Sequence, residues 1–470
     1  MYCLRNNVSL CLILIIAVLG INQAHAVDVA KAIQHYEKNA DYWQYKGEPV
    51  LLIGGSDDDS PFHMLDAKEH LEEMAAAGGN YIRNVMSQRD DEGFEVAAFK
   101  KNTHGKFDLD QWNDEFWIRF ENLLKIADEL DIIVQVEVWA FHDFSRSDKR
   151  DIWSKSPWHP GNNINYTPAN TRLKAVYKKT RKAKHDFFFS VPKLNNDVVL
   201  LGYQRQFVDK LLSISLKYNN VLYVMTNEIH KQYSPEWGWY WSGYIKAKAQ
   251  NKNVHTAEMY WQTDLKSQQL RAALDHPDTF SFVEISQNSI NDGEKHWNNI
   301  QFIRNYIKSS KRPMNNTKMY GSDELAGGWG NNKDVVQRYW RNVIGGSASM
   351  RFHRPHWGIG LNSVSKNTFK ATRKLETLVK MWEVEPAQTL LDRRTANEAY
   401  LAAKPGGKYA LYFTDGGSID LDLKKHTGTF NLQWINIDTG QWGTQKTIDG
   451  GKTVTIKAPS RGPWVAAIVR

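Results

Sequence analysis

The sequence predicts an α/β fold: a (β/α)8 barrel, the TIM-barrel arrangement, followed by a small all-β antiparallel sandwich. Three observations predict it. Short runs rich in β-branched residues alternate with amphipathic stretches through eight repeats, the pattern of buried parallel strands joined by crossover helices. No Gly-x-Gly-x-x-Gly follows the first run, so a nucleotide-binding open sheet has no support. Beyond Pro386 helical periodicity stops, and alternating runs split by glycine turns take over.

The elements follow in chain order. Runs at 50–54, 81–86, 132–139, 221–229, 254–260, 280–285, 318–322 and 348–352 are predicted as strands one to eight. Helical stretches fall at 64–77, 109–130, 204–217, 236–249, 295–308, 333–343 and 365–382, with a long insertion up to about residue 196 after strand three. In the last part, strands are predicted at 399–403, 409–414, 418–423, 430–437, 453–457 and 464–469. Their breaks are Pro405-Gly406-Gly407, Asp415-Gly416-Gly417, Asp438-Thr439-Gly440 and Asp449-Gly450-Gly451.

Of 470 residues 41% are hydrophobic and 24% charged, with a net charge of +8, which excludes disorder, collagen and a multi-span membrane protein. Both cysteines, Cys3 and Cys11, lie in the first 26 residues, which read as a secretory signal: Arg5, an apolar run at 10–21, then Ala24-His25-Ala26. Cys11 sits inside the apolar run and not after it, which argues against a lipoprotein anchor. The expected organisation is therefore a signal at 1–26, a barrel at 27–386 and a sandwich at 387–470, in a secreted or periplasmic protein. A mature chain without cysteine has no disulfide, thiol nucleophile or Cys-bound metal. No His-Glu-x-x-His occurs, and the acidic loop Ser56-Asp57-Asp58-Asp59 lacks the full calcium pattern, so neither metal nor cofactor is expected. That loop is read as a cap or as ligands for sugar hydroxyls. No second apolar run approaches the ~20 residues of a membrane span.

Chemistry in such a barrel belongs to the C-terminal ends of its strands. Strand four ends in Asn227-Glu228, an amide beside a carboxyl that could serve as a general acid. Strand seven is expected to end at Ser322, followed by Asp323 and Glu324, which supply a second carboxylate. Glu137, Glu258 and Glu284 lie late in apolar runs, where an unpaired carboxylate is costly; pairing with arginines such as Arg83, or binding to sugar hydroxyls, would explain them, and Glu258 and Glu284 stand in reserve as the second catalytic carboxylate should Asp323 and Glu324 fail. Strand eight ends with Arg351, His353, Arg354 and Trp357, groups that bind anions or stack on sugar rings, or that brace the barrel mouth. The insertion after strand three places Arg172, Lys174, Lys178, Lys179, Arg181, Lys182 and Lys184 over the same face, with Trp139, Trp153 and Trp158 nearby. A cationic, aromatic-lined cleft suits an anionic carbohydrate. Nucleic acid could meet the same field, but no recognition helix or single-strand module accompanies it.

With Arg83 on strand two, Asn227-Glu228 resembles the signature of the clan A glycoside hydrolases. That resemblance implies Glu228 as acid/base, a carboxylate after strand seven (Glu324 or Asp323) as nucleophile, and a retaining outcome. The blocks Leu52-Ile53-Gly54-Gly55-Ser56-Asp57-Asp58-Asp59, Ile285-Ser286-Gln287-Asn288, Arg351-Phe352-His353-Arg354-Pro355 and Trp464-Val465-Ala466 are similar to those of exported bacterial polysaccharide-utilisation proteins. Their small C-terminal sandwich resembles one found in apiosidase-like hydrolases. This group is similar to barrel hydrolases of red-algal galactans such as carrageenan, which implies a sulfated or otherwise anionic glycan. One departure is visible: the clan's strand-seven Glu follows small or β-branched residues, whereas Asp323-Glu324 sits in a glycine-flanked loop. Two alternatives stand beside the hydrolase: a polysaccharide lyase on an anionic glycan, and a glycan-binding protein without catalysis.

Overall fold

The computed structural model describes residues 31–88, 93–144, 146–147, 150–178, 184–250, 252–324 and 329–470; the expected signal segment lies outside them. The barrel strands are Leu52–Gly55 (β1), Tyr81–Val85 (β2), Ile133–Ala140 (β3), Val221–Asn227 (β4), Thr256–Ala257 (β5), Val283–Glu284 (β6), Met314–Met319 (β7) and Ser349–Phe352 (β8). Each is followed by a helix: Ala67–Ala76 (α1), Asp114–Glu129 (α2), Val198–Ser215 (α3), Glu236–Ala249 (α4), Gln268–Leu274 (α5), Gly293–Tyr306 (α6), Asn332–Gly345 (α7) and Ser363–Leu378 (α8). All strand pairs are parallel, in two arcs ordered β2-β3-β4-β5 and β6-β7-β8-β1. Polar contacts cross the seams between the arcs. Asn80 accepts from Ile53 N through its side chain and donates its own N–H to Ile53 O, and Ser281 Oγ accepts from Thr256 N at 3.1 Å. This is the (β/α)8 barrel expected.

Side chains fill the barrel as a polar ladder. Trp43, on an N-terminal hairpin strand, donates to Asn315 at 3.0 Å; Asn315 donates to Tyr81, Tyr81 to Gln135 at 2.6 Å, and Gln135 to Glu284 at 3.2 Å. Each buried donor meets an acceptor, the condition for keeping such groups in a core. At Gly54, a Cβ would fall 1.8 Å from the Tyr81 carbonyl, so only glycine lets β1 and β2 approach this closely.

Several boundaries differ from the sequence expectation, among them three that bear on the site or the barrel. β7 spans Met314–Met319, four residues before the expected start. Its polar residues Asn315, Asn316 and Thr317 hide it from an apolar-run reading, because their partners lie on other strands. The expected start of the second helix, near Leu109, belongs instead to a hairpin of Phe107–Trp112 with Phe99–Lys101, and α2 begins at Asp114 behind an Asn113 cap. The final barrel helix ends at Leu378, ahead of 382.

After α8, antiparallel strands form two sheets: Glu385–Pro386 (β9), Leu391–Asp392 (β10), Ala399–Lys404 (β11), Lys408–Phe413 (β12), Ser418–Asp422 (β13), Thr429–Asn436 (β14), Gln441–Asp449 (β15), Thr453–Lys457 (β16) and Trp464–Val469 (β17). The larger runs β9-β11-β12-β17-β14-β15 and the smaller β10-β13-β16. Alternation along β11 and β12 sends Leu401, Leu411 and Phe413 into the core between the sheets, whereas Tyr400, Ala402, Ala410 and Tyr412 join the barrel's core. Trp340 of α7 stacks on Tyr412, and Trp297 of α6 packs on Tyr400.

Candidate active site

Glu228 follows the last residue of β4 with its backbone in the left-handed region, φ 63°. For a residue with a Cβ this costs roughly 1–2 kcal/mol, and such outliers persist where the surroundings fix them, often at functional sites. Four donors hold its carboxylate. Oε1 accepts from Lys318 Nζ at 2.5 Å, Gln287 Nε2 at 2.8 Å and Tyr320 OH at 3.0 Å, and Oε2 lies 2.8 Å from His142 Nε2. Lys318 also donates to Asn227 Oδ1 at 2.6 Å. The donors come from the ends of three strands: His142 just after β3, Gln287 after β6, and Lys318 in β7 with Tyr320 just beyond it. Burial alone would push the Glu228 carboxyl up; the Lys318 ammonium, with the His142 contact, overrides this and holds it well below the usual carboxylate range. Glu228 is therefore ionised. Tyr320 is moved the other way, its phenol raised well above its usual value by burial and by the Glu228 charge.

The position of Lys318 follows from an irregularity in β7. Register with β8 shifts between Asn316 and Met319, and such bulges re-aim side chains. Thr317 and Lys318, though adjacent, both reach groups of the interior: Thr317 donates to Glu284 at 3.0 Å while Lys318 reaches Glu228. The side chain that β7 brings to Glu228 is thus an ammonium and not the expected carboxylate.

Beside this pair runs a second charge network. Buried Arg83 on β2 pairs with Asp59 through Nη1 and with Glu137 through Nε, each at 2.9 Å. Burial opposes its charge, but Asp59 and Glu137 hold the guanidinium firmly protonated. Asp59 also pairs with Arg354 Nε at 3.0 Å and lies 3.4 Å from His353 Nδ1. Burial pulls the His353 imidazole well below its usual range, so the ring is neutral.

The structure places the other sequence-predicted residues as follows. Asp323 and Glu324 are exposed, four and five residues beyond the end of β7; Asp323 exchanges hydrogen bonds with Asn332 at the start of α7, and neither carboxylate contacts Glu228. Arg351 is wholly buried and braces the mouth, donating to Thr317 O at 3.0 Å, to Ser56 Oγ and to Asp58 O. Glu284 accepts from Ser286, Gln135 and Thr317; burial pushes its carboxyl up to about 7 against those bonds. Glu258 sits behind β4, accepting from the Thr226 and Met259 amides, with burial raising its carboxyl well above the usual range. Gly238 of α4 makes room for it, since a Cβ there would stand 2.4 Å from Glu258 Oε2.

Trp139 is 2% exposed and packs among Trp158, Phe187, Phe207, Trp237 and Trp241. Trp153 is equally enclosed. These rings form a buried aromatic core between β3, the insertion after it, α3 and α4, in place of the sugar-facing surface expected for them. Half-buried rings pack on the residues that hold Glu228 or adjoin it: Trp329 lies against Tyr320 and 4.8 Å from Trp357, and Trp261 stacks on His230, which stacks on Phe141 beside His142. Of the basic run, Arg172, Lys174, Lys178 and Lys184 are exposed, and Lys179, Arg181 and Lys182 lie outside the described residues. Among the described residues no cluster of three His, Asp or Glu could hold a metal ion, and no helix is long and apolar enough to cross a membrane.

His142, Gln287, Lys318 and Tyr320 were missed as site residues by sequence reasoning. Gln287 stood inside a recognised block. Lys318 stood inside the run assigned to strand seven, where a corrected strand end would have placed it at the mouth. For His142, two residues beyond β3, the strand boundary was the available signal.

Neither a family model nor a curated protein sequence matches the chain. Solved structures do. One described as a glycoside hydrolase aligns over 94% of this chain and 97% of its own, with a TM-score of 0.63 at 14% identity. A glycoside hydrolase family 5 protein from Bacteroides vulgatus aligns over 94% of each chain, with a TM-score of 0.62 at 12% identity. Another Bacteroides vulgatus structure, named a glycoside hydrolase by similarity, aligns over 94% of this chain and 83% of its own, at 0.59 and 12%. The likeness is one of fold, and it extends through barrel and C-terminal sheets alike.

Proposed function

We propose that this protein is a glycoside hydrolase, acting on an anionic glycan outside the cytoplasm, with Glu228 as the carboxylate at the reacting centre. The observation that carries the reading is Glu228 itself: a carboxylate at the mouth of a (β/α)8 barrel, in a left-handed backbone conformation and fixed by donors from several strands. The fold shared with glycoside hydrolases over most of the chain supports it, as do the tryptophans flanking the site, since aromatic faces pack on sugar rings. The inward cations Lys318 and Arg354 and the exposed basic insertion support an anionic substrate. The N-terminal charge, apolar run and Ala-x-Ala support export.

Held ionised by Lys318, Glu228 enters the reaction as a carboxylate. In that form it attacks or stabilises the positive charge that develops at the anomeric carbon. A proton for the leaving oxygen then comes from a neighbour. His142, 2.8 Å from Oε2 and with 36% of its side chain exposed, is the candidate donor; water then bonds to the anomeric carbon and its proton returns to His142. This gives Glu228 the role that the resemblance assigned to a carboxylate after strand seven. Tyr320 is not the base of a lyase, because its raised phenol stays protonated and donates to Glu228.

One observation favours a second reading. An ammonium beside Glu228, where a second carboxylate was expected, also suits a barrel that binds glycan without cleaving it. Digestion of neutral, uronic and sulfated glycans by the mature protein separates these readings. Hydrolysis is expected to give new reducing ends with oxygen from solvent and no unsaturated-uronate absorbance. Growth of that absorbance would establish a lyase, and tight binding without any products would establish the binding protein.

A further inference from the structure

Glu284 closes β6 at the point where regular pairing with β7 stops. The two strands pair at Val283 with Met314 and at Glu284 with Asn315, and a backbone bond runs from Ile285 N to Asn315 O at 2.9 Å. On its other side β7 loses register with β8 between Asn316 and Met319. Thr317 and Lys318 therefore stand on a stretch of strand that neither regular ladder fixes. Side chains hold it instead. Ser286 Oγ accepts from Thr317 N at 2.8 Å, Thr317 Oγ1 donates to Glu284 Oε2 at 3.0 Å, and Arg351 Nη1 donates to Thr317 O at 3.0 Å. Gln135 Nε2 donates to Glu284 Oε2 at 3.2 Å, while Oε1 accepts from Ser286 Oγ and from Ser286 N, the latter at 2.8 Å.

One carboxyl group thus ties two residues together, and each of them immediately precedes a donor to Glu228. Ser286 precedes Gln287, and Thr317 precedes Lys318. Glu284, Ser286, Gln287, Thr317 and Lys318 are each at most 3% exposed. The flexible stem of Lys318 brings its ammonium to both Asn227 Oδ1 and Glu228 Oε1, which requires a backbone fixed beneath it. A carboxyl group suits the junction because, once ionised, it accepts at both oxygens; a glutamine there would turn an NH2 toward one of the donor pairs. Held by neutral donors and closed to solvent, Glu284 turns neither oxygen to a substrate.

We propose that Glu284 is a positioning residue of the active site: by clamping Ser286 to Thr317 it sets Gln287 and Lys318 on the carboxylate of Glu228. That the positioned carboxylate reacts with a sugar rests on the hydrolase reading. The clamp itself stands independently of it. Glu284 serves the reaction from beneath the site, and not as its second carboxylate.

Thr317→Val and Thr317→Ser separate a clamp from packing. Valine keeps the volume of the side chain and deletes the hydroxyl given to Glu284; serine keeps the hydroxyl and loses the methyl. Crystal structures of the mature protein are expected to show Lys318 Nζ beyond about 3.5 Å from Glu228 Oε1 in Thr317→Val and in Glu284→Gln, and within that distance in Thr317→Ser. On a glycan that the wild type cleaves, Thr317→Val is expected to lower kcat about tenfold or more with KM changed less than about threefold, and Thr317→Ser to keep kcat within about threefold of the wild type. Glu284→Gln is expected to lower kcat by a similar factor. Adding Thr317→Val to it is expected to cost less than about threefold more, because two members of one clamp do not act additively. An undisplaced Lys318 in both Thr317→Val and Glu284→Gln overturns the proposal. So does a near-wild-type kcat in both, a serine variant as impaired as the valine one, or full multiplication of the two losses. Displacement is read without substrate, so a wild type that cleaves no glycan rejects the hydrolase reading and leaves the clamp to be judged by the structures.

Discussion

Lys318 sets the chemistry of Glu228. Both side chains are nearly closed to solvent, at 3% and 5% exposure, so their attraction is weakly screened, and removing one partner leaves the other charge buried. Burial would raise the carboxyl and the lysine lowers it, which fixes the sign of a pH test. With Lys318→Met the desolvation remains while its largest opponent is gone, so the Glu228 carboxyl rises. If Glu228 must be ionised, the acid limb of kcat/KM moves to higher pH, by about one unit or more. A pH–rate profile checks it; an unmoved limb would mean that Lys318 does not govern the reacting carboxylate. The carboxyl–amide pair Asn227-Glu228 was legible in the sequence because an apolar run leads directly into it. Its ionisation state was not, since that depends on a lysine 90 residues away in the chain.

At the scale of elements, β7 separates what sequence periodicity can locate from what it cannot. Its residues Asn315, Asn316, Thr317 and Lys318 are polar, and all are buried. A run-based reading takes buried strands to be apolar and so slides past them to the next candidate. The four-residue displacement moved Asp323 and Glu324 to an imagined strand end and removed Lys318 from it. Strands β3, β4 and β8 were found nearly in place, because polar members such as Gln135, Glu137 and Arg351 stand singly between apolar neighbours and leave the run legible. Exposed β15 was missed for the related reason that its sequence QWGTQKTID carries little alternation. Since Asp323 and Glu324 are exposed on the approach to α7 and neither is among the groups that hold Glu228, Asp323→Asn and Glu324→Gln are each expected to lower kcat/KM less than about tenfold, or about 1.4 kcal/mol of barrier. Steady-state kinetics decide this, and a loss of several orders of magnitude in either variant would restore a catalytic carboxylate after β7.

Across the whole molecule, the six-stranded sheet has two buried faces. One closes on the small sheet and the other on α6, α7 and α8, where Arg341 donates to Asn397 at 2.8 Å and Arg394 pairs with Glu294. The composition change near Pro386 was visible in the sequence, as were the turns between strands. That the sheet shares the barrel's core was not, because alternation of Tyr400, Ala402, Ala410 and Tyr412 with Leu401 and Leu411 reads as uniformly apolar. This packing is expected to make the full chain unfold in one cooperative calorimetric transition, and deletion of 387–470 to leave a barrel with an exposed apolar face that aggregates. Two separated transitions in the intact protein would contradict it.

The central claim, that Glu228 is the reacting carboxylate of a glycoside hydrolase, is tested most directly by the kcat of Glu228→Gln on a glycan that the wild type cleaves. The amide keeps the shape and removes the charge, so turnover is expected to fall by at least about a thousandfold, while binding of the same glycan persists. Turnover within a few-fold of the wild type would contradict the claim.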